Sequence, residues 1–291
     1  MDAFYIILTA SLFSISCGLL GCFLILRKMA MVGDAISHAV LPGIVIAFMF
    51  TGQLDSFALV LGAGLFGILT AFLIEYFHRK GRVQADAAIG VTFTWLFALG
   101  VILISLFTGQ VDIDEECVLY GEIAYVPIDL WITEGGQVLG PRAPYIAGIT
   151  LLVNLLFIRL GFKQLYLTTF DPAFAATIGL SVSLWHYLLM GAVSMTTVAA
   201  FDSVGAILVV ALLVAPPATA YLLTEKFQQM LAITVVIAIL VSIAGYYLAV
   251  ALDGSIAGAM VSVAGVFFGI SFLFSPVGGV VVKWYRRRRL A

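Results

Sequence analysis

FYIILTASLFSISCGLLGCFLIL, residues 4–26, decides the fold class, and Arg27 and Lys28 close it. The run holds no acidic or basic side chain and is long enough to cross a hydrocarbon layer, which takes about 20 helical residues. In lipid every backbone N–H and C=O must pair within its own segment or within a closed barrel, so such a run is a helix. A barrel would instead show alternating segments of about 10 residues. No A-x-A-like site follows the run, which separates it from a cleaved signal peptide and makes it a retained span. Eight further apolar runs lie at roughly 31–51, 56–77, 87–107, 144–162, 182–200, 204–223, 230–250 and 256–276. The whole chain agrees with them. Of its 291 residues, 63% are hydrophobic and 10% charged, with a mean hydropathy of +1.16, whereas a soluble domain has about 25% charged residues. Those values exclude a soluble enzyme, a nucleic-acid-binding protein and a disordered chain. The expectation is an all-α polytopic membrane protein of about 8–9 transmembrane helices, one domain over residues 1–291.

The basic residues orient the spans. With alternating loops, Arg27, Lys28, Arg79, Lys80, Arg82, Arg159, Lys163, Lys226, Lys283 and Arg286 to Arg289 fall on one side, 13 of 14, and only Arg142 falls opposite. Basic residues collect in cytoplasmic loops, so the sequence predicts an outer N-terminus and a cytoplasmic C-terminus. The segment 108–143 falls outside, with Asp112, Asp114, Glu115, Glu116, Glu122, Asp129 and Glu134 against one arginine. It reads as a solvated acidic loop, a cation funnel or a docking surface.

Ionisable groups inside a span mark function by default, because lipid burial costs them heavily. In Gly33-Asp34-Ala35-Ile36-Ser37-His38-Ala39-Val40-Leu41-Pro42-Gly43, Asp34 and His38 are four apart and share a helix face. An oxygen and a nitrogen donor together suit a borderline divalent ion such as manganese, zinc or iron. A structural Asp–His pair and a proton relay are the other two readings. Ser37 borders the same face. Pro42 has no N–H, so the His38 carbonyl loses its helical donor and is a further possible ligand. Pro216 and Pro217 likewise release the Leu212 and Leu213 carbonyls and predict a kink or break, a feature of gating helices in transporters. His78 sits at a cytoplasmic edge, and His186, beside Trp185, reads as part of an aromatic belt. Asp202 and Asp253 read as turn residues. The three cysteines, Cys17, Cys22 and Cys117, match no disulfide framework or metal spacing.

The cytoplasmic segment 163–181 contains Phe170-Asp171-Pro172-Ala173-Phe174-Ala175-Ala176-Thr177-Ile178-Gly179. Asp171 is placed to cap a helix, Pro172 to begin it and Gly179 to end it, giving about two turns suited to docking a soluble protein. The chain has no phosphate-cradling GxxxxGK[ST] motif, and no GxSxG or HExxH. It is therefore expected not to be an enzyme, and uphill transport would draw on another chain or an ion gradient.

Four stretches, Leu26 to Gly43, Asp86 to Gly90, Phe170 to Gly179 and Val204 to Ala220, resemble the permease subunit of the metal-ion family of bacterial ABC transporters. The similarity runs in order across nearly the whole chain. It implies a fold like that of the vitamin B12 and siderophore importers, a pair of permease subunits (identical or paralogous) around a central path. It also implies a cytoplasmic ATPase dimer, an extracellular or periplasmic metal-binding protein, and residence in the bacterial cytoplasmic (inner) membrane. The cargo would be manganese, zinc or iron, with no permanently bound cofactor. Asp34 and His38 match the metal-coordinating pair, and the segment with Phe170, Asp171, Pro172, Ala175 and Gly179 matches the ATPase-coupling helix. Asp253-Gly-Ser-Ile-Ala-Gly258 departs from the Pro-Thr-Gly-Pro-like last outer turn of many relatives. On the residues alone, an ion-coupled secondary transporter with Asp34 and His38 as its proton site is the alternative.

Overall fold

An apolar run in lipid gains its full set of backbone hydrogen bonds as a helix, and the computed structural model shows that outcome throughout. It describes residues 2–52, 57–107, 123–132, 138–275 and 279–280. The helices among them are α1 (Asp2–Leu26), α2 (Val32–Ala39), α3 (Leu41–Thr51), α4 (Phe57–Lys80), α5 (Ala85–Phe107), α6 (Arg142–Phe170), α7 (Pro172–Thr177), α8 (Val182–Val204), α9 (Ala206–Leu223), α10 (Phe227–Leu252) and α11 (Ile256–Phe274). Counting α2 with α3 as one span, nine stretches of the described residues are long and apolar enough to cross a membrane.

The first helix is the axis. It packs against α6, α8, α9 and α10, and Phe13, Cys17, Leu20 and Phe23 are fully buried along it. A second group, α2 to α5, is joined to it chiefly through α8. Small residues set the approach of the helices, as lipid gives no hydrophobic drive for helix association. A Cβ on Gly21 would overlap the Leu213 carbonyl oxygen, so only glycine lets α1 and α9 meet there.

Four local expectations need correction. The fifth span is not 144–162: α6 continues to Phe170, so Arg159 and Lys163 lie on a helix rather than in a loop. Nothing in 163–170 breaks a helix, and the Asp171-Pro172 step ends it. Pro216 and Pro217 do not break the helix; α9 runs through both, which are buried. Their missing N–H groups free the Leu212 and Leu213 carbonyls on the side where Gly18 and Gly21 of α1 approach. Part of 108–143 has regular structure: β1 (Leu130–Ile132) pairs antiparallel with β2 (Val138–Pro141), Leu130 opposite Pro141. The Arg142 N–H donates to the Asp129 carbonyl at 3.0 Å beside it. Asp112, Asp114, Glu115, Glu116, Glu122 and Glu134 lie outside the described residues, as do Lys283 and Arg286 to Arg289. Finally, Asp202 lies in the last turn of α8 and not in a turn between helices, whereas Asp253 is a turn residue as expected, in the left-handed region at φ 49°, and Ser255 Oγ caps α11 by accepting from the Gly258 N–H at 3.3 Å.

Candidate functional site

The second span is two helices meeting at Val40. Pro42 lies in the first turn of α3 and donates nothing to His38. The kink is shallow, since Val40 keeps helical angles and its N–H still reaches the Ile36 carbonyl at 3.1 Å.

Three contacts fix the height of α2. Gly33 abuts the Leu213 side chain, and Ile36 faces Gly67 at the middle of α4. The His38 ring lies 5.8 Å from that of Phe97, midway along α5, and 6.0 Å from that of Phe93. From Leu213 to the end of α9 at Leu223 is about 15 Å of helix at 1.5 Å per residue. Residues 27–31 therefore turn back into the bundle before α2 begins, and Asp34 and His38 sit near mid-height.

The pair itself is close but not hydrogen-bonded. Asp34 Oδ1 and His38 Nε2 are 3.7 Å apart, and their side chains are 34% and 36% exposed. Two donors bound to one ion at about 2.1 Å stand about 3.0–3.5 Å apart for angles from a right angle to tetrahedral. A small rotamer change brings both onto one ion. Phe93 and Phe97 wall the imidazole on one side, which sequence reading gave no means of finding. Ser37 does not join them: its buried hydroxyl donates to the Asp34 backbone carbonyl at 2.6 Å. Among the described residues no third His, Cys, Asp or Glu completes a metal-binding group, so an ion held by this pair would take its further ligands from carbonyls, water or another subunit.

At the end of the bundle carrying Arg27, the expectation for His186 fails. It is buried, with Nε2 3.5 Å from Glu75 Oε2 and Nδ1 3.5 Å from an Arg27 guanidinium nitrogen. Its neighbour Trp185 has the packing role, lying over Gly161 and stacked on Phe157. Glu75 is not among the residues the sequence singles out above, although an acid within a long apolar run is signal enough. Burial lowers the Arg27 pKa to about 10 against the opposing pull of Glu75, leaving it cationic at neutral pH. His78 is exposed and bonded at Nδ1 to the Val83 carbonyl oxygen, 2.9 Å away.

The 170–179 segment folds with the caps its sequence sets out. The Phe174 N–H donates to Asp171 Oδ1 at 2.9 Å, Pro172 opens α7, and Gly179 takes φ 85°, where a side chain would be strained. Its faces differ. Ala175 is fully buried, whereas Phe170, Phe174 and Ile178 are about half exposed, at 49%, 50% and 51%. The outward surface is thus aromatic and aliphatic at a spacing of four, and Ala175 seats the helix on the bundle.

The family model for the ABC 3 transport family matches residues 3–275. The chain belongs to that family. As a family member it is a multi-pass permease subunit of an ABC transporter, and not the subunit that hydrolyses ATP; the ion-coupled alternative falls with that membership. The ABC 3 chain is 49% identical to the manganese transport system membrane protein MntD of Bacillus subtilis over 282 residues, 97% of this chain and 95% of the relative. It is 45% identical to the zinc transport system membrane protein TroD of Treponema pallidum, covering 98% of this chain and 77% of that one. The solved structure of PsaBC from Streptococcus pneumoniae in complex with a Fab superposes with a TM-score of 0.76 at 34% identity, over 94% of this chain and 91% of that one.

Proposed function

We propose that the chain forms the translocation path of an ATP-driven importer of divalent transition metal ions, with Asp34 and His38 as the cargo's ligands within the membrane. One observation carries this reading. A carboxylate and an imidazole 3.7 Å apart stand one-third exposed at mid-height of the bundle, with the rings of Phe93 and Phe97 beside the imidazole. A structural pair would bury both groups and bond them directly. The exposure keeps them open to a passing ion, and the separation suits joint ligation. Manganese and zinc are the cargoes named for the two relatives, and the O plus N donor set suits both, as well as iron. With two ligands per chain, a second permease subunit, identical or paralogous, supplies the facing half of the site across the central path.

The surface formed by Phe170 at the end of α6, Phe174 on α7 and Ile178 at its C-cap docks the cytoplasmic ATPase, held in place by Asp171, Pro172, Ala175 and Gly179. The outer end receives metal from an extracellular or periplasmic binding protein. The test is uptake by the permease co-expressed with its ATPase and reconstituted in liposomes, using manganese, zinc and ferrous ions in turn. ATP-dependent uptake that is lost in Asp34→Ala per folded transporter supports the reading. Full uptake in that variant removes the ligand role.

A further inference from the structure

Arg27, itself partly buried, is the centre of a polar cluster with the buried Glu75, Thr168 and His186 that the ligand pair and the docking face do not use. Its Nε donates to Thr169 Oγ1 and its Nη2 to Thr168 Oγ1, both at 3.0 Å, while Nη1 lies 3.5 Å from His186 Nδ1. The Thr168 hydroxyl itself donates to the Leu165 carbonyl at 3.3 Å, which leaves its oxygen free to accept. His186 Nε2 in turn lies 3.5 Å from Glu75 Oε2.

The positions of these groups in the fold matter more than their number. Thr168 and Thr169 are in the last turn of α6, immediately before α7, and His186 is in the first turns of α8, immediately after it. Glu75 belongs to α4, whose Gly67 receives Ile36 of α2. Arg27 opens the 27–31 link that enters α2 and so leads to Asp34. Both flanks of α7, the link into α2 and, through His186, α4 meet at one guanidinium. A buried charged cluster is a weak source of stability compared with apolar packing of the same volume. Its forked, directional bonding instead fixes where the connected helices lie. A cavity of about 540 Å³ adjoins the cluster, lined by Arg27, Glu75, Thr168, Pro172 and His186 among others. It gives the guanidinium room to exchange partners.

We propose that Arg27 and Glu75 are positioning residues that transmit movement of α7 to α2, so that ATP hydrolysis by the partner changes the exposure of the Asp34–His38 pair. The inference rests on the importer reading above. In this arrangement, displacement of α7 pulls Thr168 and Thr169 from the guanidinium, and the 27–31 link and α4 follow. The hydroxyl pair is the coupling joint and Glu75, through His186, is its anchor on α4.

The decisive quantity is metal carried per ATP hydrolysed by the full permease–ATPase complex in liposomes. The variants are Arg27→Lys, which keeps the charge but loses the fork, Thr168→Val with Thr169→Val, which keeps the shape but removes the acceptors, and Glu75→Gln. The expected result is a fall of about tenfold in metal per ATP for Arg27→Lys and for the valine pair, with hydrolysis continuing. Combining the two should add little, because they break one interaction. Should Arg27→Lys fail to insert, the near-isosteric valine pair decides. Uptake and hydrolysis falling in proportion to folded protein, or an unchanged ratio, overturns the inference. Absence of ATP-dependent uptake in the unsubstituted complex overturns the importer reading and the inference with it.

Discussion

Gly33 lies against Leu213 so closely that a Cβ on Gly33 would overlap Leu213 Cδ2. That contact sets the height of α2 against α9, and Asp34 is the next residue. Overpacking a fitted contact costs about 1–3 kcal/mol and is relieved by backbone shift. Gly33→Ala is therefore expected to displace α2 and lower uptake per folded transporter. Adding Leu213→Ala should restore much of it by making room. Uptake assays on both variants, with membrane-inserted protein quantified, test this; an unaffected Gly33→Ala would show that the height of α2 is set elsewhere.

The ligand pair predicts non-additive losses. Asp34→Ala removes the anionic oxygen donor and His38→Ala the nitrogen donor 3.7 Å from it. If both bind one ion, each alone lowers uptake severely and the double variant is little worse than either, since coupled groups do not add. Two independent sites would give multiplying losses. Metal bound per folded transporter, measured alongside uptake, separates loss of ligand from loss of fold.

The two faces of α7 predict two different defects. Phe174 and Ile178 point outward, so Phe174→Ala with Ile178→Ala should weaken ATPase association and stimulated hydrolysis while insertion stays normal. Ala175 is fully buried, so Ala175→Leu should reduce the yield of folded permease first, at an overpacking cost of about 1–3 kcal/mol. Copurification of the ATPase and the thermal stability of the permease measure the two effects. A stable Ala175→Leu protein that fails only in hydrolysis would place Ala175 on the docking face instead.

The charge asymmetry predicts the sidedness of labelling. A single cysteine replacing Lys80 or Arg82, at the basic end, should react with an impermeant reagent only from the cytoplasmic side. One replacing Tyr125 or Asp253 should react only from outside. Protection of Tyr125→Cys in intact cells would reverse or break the nine-span order.

The membrane class, the nine spans, the kink at Pro42 and the capped helix after Asp171 were all legible in the sequence. Each depends on interactions within a few residues: an apolar run pairs its own backbone, a proline withholds one donor, and an aspartate caps its own helix. The Asp34–His38 face was legible for the same reason, as a spacing of four on one helix. What the sequence left open concerned distance across the bundle. Counting from Arg27 alone would set Asp34 near the cytoplasmic end. Only the packing of Gly33 on Leu213, Ile36 on Gly67 and His38 on Phe97 raises it to mid-height. Ala175 and Phe174 are neighbours in the chain, and only the surface beneath α7 decides which is buried. His186 and Glu75 are separated by more than a hundred residues, and no local pattern joins them. Their pairing with Arg27 exists because three helix ends and the turn after α1 converge at one place, where buried charges must find one another rather than water.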